Sequence, residues 1–279
     1  LACQTILGAC RLLRLNWDQV RAVMERAVAR GLARRGDDVM PYLAVDEKAF
    51  AKGHRYATVL YDLGSGRVIE LADERKKSSL NALYEGLSDA QRAHVKAVCM
   101  DMWEPFIKAT EAAFGTASVV HDRFHVMKHA GDALNKERAE EAKQLAQFDD
   151  DRLKGTRQLW LYAEENLPEK RKGEFARLKD QDLRTAKAWA MKENLRRTWH
   201  MPSEAEANAH VQKWCRWVLR SKLRHMIRFA LLVKEKLAPI VRYATHPISN
   251  GKAEGINSKI MALSRQARGF RGFNNFRTA

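Results

Sequence analysis

Three acidic residues stand where carboxylates could do chemistry. Asp46 closes an apolar, β-prone run, Tyr42-Leu-Ala-Val45, and Asp101 closes a second, Val95-Lys-Ala-Val-Cys-Met100. Runs of this length and composition read as strands buried on both faces, the kind found inside parallel sheets. Met102-Trp-Glu-Pro-Phe106 follows the second run, and Pro105 suits the first turn of a helix. Both aspartates therefore fall at the carboxyl ends of strands, the edge at which open α/β sheets hold their ligands. The third acid, Glu254, is the only Asp or Glu beyond residue 247, and Lys252, Lys259, Arg265, Arg268, Arg271 and Arg277 surround it. A lone carboxylate among cations suits a metal site that faces phosphates, although a Glu in a first helical turn is also favoured by the helix dipole alone. The expectation is that the two strands lie side by side and that a late helix brings Glu254 to them.

The elements that must position these acids follow from the hydrophobic period. Residues 5–34 repeat at helical spacing, with Asn16 or Asp18 suited to cap the second of two helices. The pair resembles the later part of a helix-turn-helix, and equally a helical arm laid on the main domain. Arg30, Arg34 and Arg35 could touch phosphates in either arrangement. From 40 to 72 the period becomes that of strands. Tyr42–Val45, Tyr56–Tyr61 and Val68–Leu71 predict an antiparallel meander that turns at Ala51-Lys-Gly-His54 and at Leu63-Gly-Ser-Gly66. A helix capped by Ser78, the strand 95–101, a helix near 104–114 and a strand Ala117–Val120 complete the order β-β-β-α-β-α-β. That is the order of a ribonuclease-H-like α/β fold, a mixed sheet in which the ends of the first and fourth strands are neighbours. Strand alternation turns Glu47 away from the face of Asp46, which leaves Glu47 and His54 as weaker candidates.

Beyond 123 the strand signal stops. Residues 126–245 predict a long all-helical insertion, rich in Leu, Ala, Glu, Lys and Arg and broken by Pro168 and Pro202. Trp160, Trp189, Trp199, Trp214 and Trp217 fall there, as anchors of helix packing or as faces on which bases stack. Arg216, Arg220 and Arg224 recur every fourth residue, predicting one basic helix face, solvated or phosphate-tracking. Asp122 either caps the next helix or marks a place where Arg123 or His125 meets a phosphate. Residues 246–279 predict a final helix, capped by Ser249 or Asn250 with Ala253, Ile256, Ile260 and Leu263 as its apolar stripe. Glu254, Asn257 and Met261 fall on a neighbouring face. The expected organisation is thus 1–38 as a partial helix-turn-helix-like segment, 39–125 and 246–279 as two parts of one catalytic domain, and 126–245 between them.

Composition narrows the partners. Fifty Lys and Arg against 34 Asp and Glu give a formal net charge of +16, which points to a polyanion unless the protein is merely basic. No apolar run is long enough to span a bilayer, and no signal-peptide pattern opens the chain. The four cysteines are scattered without a C-x-x-C pair, so a zinc site or disulfide framework is not expected and a reducing cytoplasm is. The chain opens on Leu1 and stops abruptly at Ala279, as a piece of a longer parent would.

Val45-Asp46-Glu47-Lys48, Gly53-His54-x-Tyr56, Asp101-Met-x-x-x-Phe106, Asp122-Arg-Phe-His125, Asn250-Gly-x-x-Glu254-Gly-x-Asn257 and Arg268-Gly-Phe270 occur in this order. Together they resemble the DDE transposases of bacterial insertion sequences, in the ISL3 group, over roughly 15–279. The resemblance implies a ribonuclease-H-like catalytic domain interrupted by a helical insertion, with Asp46, Asp101 and Glu254 as catalytic and metal-binding triad. It implies two Mg²⁺ ions, with Mn²⁺ as substitute, one activating the attacking water or 3′-hydroxyl and one stabilising the leaving oxygen. Water frees a 3′-hydroxyl at the element end, and that hydroxyl then attacks target DNA. Asp46 would bridge the ions. The partners implied are double-stranded DNA of transposon ends and target, with a homodimer or higher assembly on paired ends, in the bacterial cytoplasm with the nucleoid and not at a membrane. Members carry a cysteine-rich DNA-binding region and a complete helix-turn-helix, and this chain lacks the zinc-type cysteines. The DNA contacts expected are Arg123, His125, Arg216, Arg220, Arg224, Lys252, Asn257, Lys259, Arg265 and Arg268. Two other readings remain open, a catalytically silent DNA-binding remnant and a ribonuclease-H-type nuclease on another nucleic acid.

The charge pattern generates a first prediction. Affinity for duplex DNA, followed by fluorescence anisotropy from 50 to 200 mM salt, falls with a log–log slope of about −0.9 per phosphate neutralised. A flat response contradicts the basic stripes at 216–236 and 252–277.

Overall fold

The computed structural model describes residues 5–51, 53, 55–270 and 272–278. His54 and Arg271 lie outside them. Two helices, α1 (Ile6–Leu13) and α2 (Trp17–Ala33), precede three strands, β1 (Tyr42–Ala51), β2 (Arg55–Asp62) and β3 (Arg67–Asp73). Next come α3 (Lys77–Glu85), α4 (Asp89–His94), β4 (Ala97–Met100), α5 (Glu104–Phe114) and β5 (Val119–His121). A run of helices follows: α6 (Arg123–Leu145), α7 (Arg157–Leu161), α8 (Glu169–Lys179), α9 (Arg184–Arg196), α10 (Glu204–Leu219), α11 (Arg224–Glu235) and α12 (Leu237–Val241). The chain closes with α13 (Gly251–Gln266) and α14 (Phe273–Thr278).

The strands form one mixed sheet in the order β3-β2-β1-β4-β5. β1–β2 and β2–β3 are antiparallel, whereas β1 and β4 run parallel. This is the ribonuclease-H-like topology expected from the element order, with one helix more. Ser88 and Gln91 cap α4 reciprocally, and Ser88-Asp-Ala-Gln91 carries the S-x-x-Q signature of such a box. Asn16 and Gln19 do the same for α2. Ser78 does not cap α3; the N-cap is Lys76, and the neighbouring Ser79 hydroxyl donates to the Asp73 carbonyl at 2.7 Å. β4 is shorter than the expected 95–101, because Val95 serves as the C-cap of α4.

The faces of the sheet differ in kind. Leu43, Val45, Leu60, Val98 and Met100 point to one side, where Leu80, Leu83 and Tyr84 of α3 and Phe106 and Ile107 of α5 bury them. Each such side chain contributes about 1.5–3 kcal/mol by leaving water. The other side carries Ala44, Ala57, Val59 and Cys99, all fully buried and mostly small, and α13 and α14 lie against it. There Phe50 stacks on Phe276 with ring centroids 5.3 Å apart. At the far edge, Arg277 of α14 holds Glu70 of β3 at 2.5 Å.

Two compact units result. One takes the residues up to Val119 together with those from Ile248 onward; the other is Val120–Pro247. Within the second, Trp160, Trp189, Trp199 and Trp214 are buried and act as packing anchors, while Trp217 is 39% exposed. Arg216, Arg220 and Arg224 do not share a helix face. α10 ends at Leu219, Lys222 takes a left-handed turn (φ 63°), and α11 starts afresh at Arg224. No described helix is long and apolar enough to cross a membrane.

That second unit uses acids inside α6 as caps. α9 and α11 both have leucine at the N-cap, which offers their first N–H groups nothing. Buried Glu141 accepts from the Arg184 and Thr185 amides at 2.7 Å and from the Thr185 hydroxyl at 2.6 Å. Buried Glu137 accepts from the His225 amide at 2.6 Å. Glu141→Ala should therefore destabilise the protein by about 2–3 kcal/mol, read as a lower urea midpoint, whereas Glu140→Ala on the exposed side should leave that midpoint nearly unchanged.

Candidate active site

The β1–β4 register places the two aspartates. Tyr42, Leu43 and Ala44 pair with Ala97, Val98 and Cys99, so the same offset carried two residues further sets Asp46 beside Asp101. Neighbouring strands lie about 4.8 Å apart, and residues two apart share a face. Both carboxylates thus project on the small-residue side of the sheet, Asp101 directly after β4 and Asp46, contrary to expectation, within β1, which continues to Ala51. Each is partly buried. Asp101 Oδ1 accepts from the Met102 amide at 2.6 Å, and Asp46 Oδ1 from the Glu47 amide at 2.8 Å. Glu47 points the opposite way and pairs with Arg75 at 2.6 Å, whose guanidinium lies 4.2 Å from the Trp103 ring centroid.

The helix that follows Pro247 closes the polar face. Asn250, almost fully buried, directs Nδ2 at the Val45 carbonyl at 3.5 Å, and it ends the loop before α13 without a side-chain cap of its own. The buried residues of α13 are Ala253 and Asn257, while Leu263 is 42% exposed. The expected stripe of Ala253, Ile256, Ile260 and Leu263 is therefore rotated toward Asn257. Hydrogen bonding causes the rotation: Asn257 Nδ2 donates to Asp46 Oδ2 at 2.7 Å, and Asn257 Oδ1 accepts from the Tyr61 hydroxyl at 2.7 Å. Tyr61 sits opposite Ala44 on β2, diagonal to Asp46 and on the same face. Sequence reasoning placed Asn257 among the DNA contacts and gave Tyr61 no role beyond its strand. Alternation from Asp46 through the antiparallel pair was the signal available for Tyr61.

Glu254 is exposed, one helical turn before Asn257. Among the described residues no three His, Cys, Asp or Glu side chains gather closely enough to hold a metal ion. The structure joins Asp46 to Asp101 by register and ties the helix of Glu254 to Asp46 through Asn257, but leaves the Glu254 side chain in solvent.

The cations divide by what already holds them. Lys252 donates to the Leu63 carbonyl at 2.7 Å, and Arg224 pairs with Glu140 at 2.7 Å. Lys259, Arg265, Arg268, Arg216 and Arg220 are exposed. In the second unit, Asp122 is buried at the N-cap of α6, where it makes no capping bond, and lies 3.2 Å from His125 Nδ1. Arg123 stacks over the rings of Phe124 and Tyr243, at 5.0 and 5.7 Å.

Comparison with known proteins places the chain among others of this plan. A family of transposases, of the DDE ISL3 type, matches residues 43–279. The transposase for insertion sequence element IS1001 of Bordetella parapertussis is 28% identical over 270 residues, covering 95% of this chain and 66% of that protein. The transposase for insertion sequence element IS1557 of Mycobacterium tuberculosis is 27% identical over 289 aligned positions, covering 95% of this chain and 65% of that protein. The chain therefore spans just under two thirds of the length of these relatives.

The environment of Tyr61 yields a test of the site's geometry. Burial, then the Asp46 charge, pushes its hydroxyl far above the ordinary tyrosine range, and burial does the same to Tyr84. Because the folded state keeps protons that the unfolded chain loses, this contribution to stability is full below about pH 10 and declines above it. In an alkaline titration at 295 nm, Tyr61 and Tyr84 should ionise only on unfolding. Tyr61→Phe should leave the native titration amplitude unchanged and reduce the unfolding step.

Proposed function

The chain belongs to the ISL3-type DDE transposases, and from that premise we propose that it carries a DNA-cleaving and strand-joining centre built on Asp46, Asp101 and Glu254. The observation that supports this most is the β1–β4 register, whose offset of 55 is also the separation of Asp46 from Asp101. The donor set fits a hard divalent ion: it is oxygen only, and such ions complete their shells with water and phosphate oxygens. Mg²⁺, with Mn²⁺ as a substitute, would supply activation of the attacking oxygen and relief of charge on the leaving one.

The chain's own residues hold and orient. Asp46 would serve both ions, with one oxygen fixed by Asn257 and the other by the Glu47 amide. Asp101, anchored by the Met102 amide, would hold one ion, and Glu254 would turn in from α13 to hold the other. Lys259, Arg265 and Arg268, exposed on and after α13, would neutralise phosphates of an element end or target duplex. Arg216, Arg220, Arg123 and His125 extend that reading to the second unit. Paired ends would call for a homodimer or higher assembly, working on DNA in the bacterial cytoplasm. The outward Glu254 favours a second reading, a remnant that binds DNA without cutting it.

A labelled duplex bearing the end of the encoding element, incubated with Mg²⁺, separates the two. Wild type should release a 3′-hydroxyl and join it to target. Asp101→Asn should lower that rate by at least about a hundredfold while retaining DNA binding. Equal binding with no cleavage in either protein supports the remnant.

A further inference from the structure

We propose that Tyr61 and Asn257 are positioning residues, a two-step relay that orients the Asp46 carboxylate and seats the first turns of α13 on the sheet. The proposal rests on the carboxylate-site reading given above and adds residues that reading does not contain.

The chemistry allows the relay one direction only. A carboxylate accepts and cannot donate, so the amide end facing Asp46 Oδ2 must be Nδ2, at 2.7 Å. The remaining end, Oδ1, must then accept, and the Tyr61 hydroxyl supplies the proton at 2.7 Å. Turning the amide over would set oxygen against carboxylate. Tyr61 is 1% exposed and Asn257 7%, so bulk water does not compete for either bond. The relay connects β2, α13 and β1, which are the strand beside the site, the helix carrying Glu254 and the strand carrying Asp46. It occupies one position on Oδ2, as the Glu47 amide occupies one on Oδ1. With one bond made at each amide end and only 7% of the residue exposed, Asn257 presents little to DNA.

Two measurements on the whole chain test this. Mn²⁺ binding, followed by loss of the free-ion paramagnetic resonance signal, should weaken about 10–100-fold in Asn257→Ala and several-fold in Tyr61→Phe, which keeps the aromatic packing. Amide exchange across Glu254–Ser258 should quicken in both. DNA affinity in EDTA should match wild type. Asp101→Asn should lose Mn²⁺ affinity with unchanged exchange in α13, which separates loss of a ligand from loss of the relay. Unaltered exchange and Mn²⁺ affinity in Tyr61→Phe would overturn the relay even if Asn257→Ala fails to fold. Weaker DNA binding by Asn257→Ala in EDTA, with Mn²⁺ affinity intact, would make Asn257 a DNA contact instead. A wild type that takes up no Mn²⁺ refutes the carboxylate-site reading and the metal half of this proposal, while the exchange data still decide whether the relay seats α13.

Discussion

The parallel pairing of β1 with β4 governs what this chain can assemble. Antiparallel neighbours would bring the end of one strand to the start of the other, and Asp46 would face the beginning of β4. Parallel pairing with an offset of 55, which also separates Asp46 from Asp101, gives the two acids equal parity and so sets them on one face. Everything on the opposite face serves to keep that register. Leu43, Val45, Leu60, Val98 and Met100 are pinned beneath α3 and α5, and a slip by one residue would turn them all to the polar side. The apolar core and the acidic edge are thus two readings of one alternation.

The polar face is closed by different physics. Ala44, Ala57 and Cys99 present little bulk, so α13 can approach the sheet closely but gains limited apolar burial there. Hydrogen bonds take over the task of fixing its rotation, from Asn250 to the Val45 carbonyl and from Asn257 to Asp46 and Tyr61. Farther along the same face, where no carboxylate is present, Phe50, Phe273 and Phe276 restore aromatic packing. Polar closure beside the acids and apolar closure beyond them divide the face between specificity and adhesion.

An apolar strand handing over to an acid was legible at Asp101, which directly follows β4, but not at Asp46: β1 runs on to Ala51, so Asp46 is its fifth residue of ten. The meander, α5 and the mixed sheet were legible too: period two and period 3.6 separate cleanly there. The rotation of α13 was not. Helical periodicity ranks Ile256 and Leu263 above an asparagine, and only the buried partners Asp46 and Tyr61 reverse that order. The basic face through Arg216, Arg220 and Arg224 failed because spacing by four persists across a break that no proline or glycine marks. The capping roles of Glu137 and Glu141 have no local signal, because the leucine N-caps they serve lie more than 40 residues away in the chain. Lys192 is similar, a buried ammonium that donates to the Trp160, Leu161 and Tyr162 carbonyls at the end of α7.

The insertion of Val120–Pro247 between sheet and closing helix also orders events in time. A ribosome adding about 5–20 residues per second finishes the meander and β4 on the order of ten seconds before Ile248 leaves the peptidyl-transferase centre. Through that interval the nascent sheet presents Asp46, Asp101 and the Tyr61 hydroxyl to water without the asparagine that later links them. The polar face is completed only by a segment translated well after the sheet, so a product terminated before Ile248 keeps the acids of the sheet but never receives the helix that covers them.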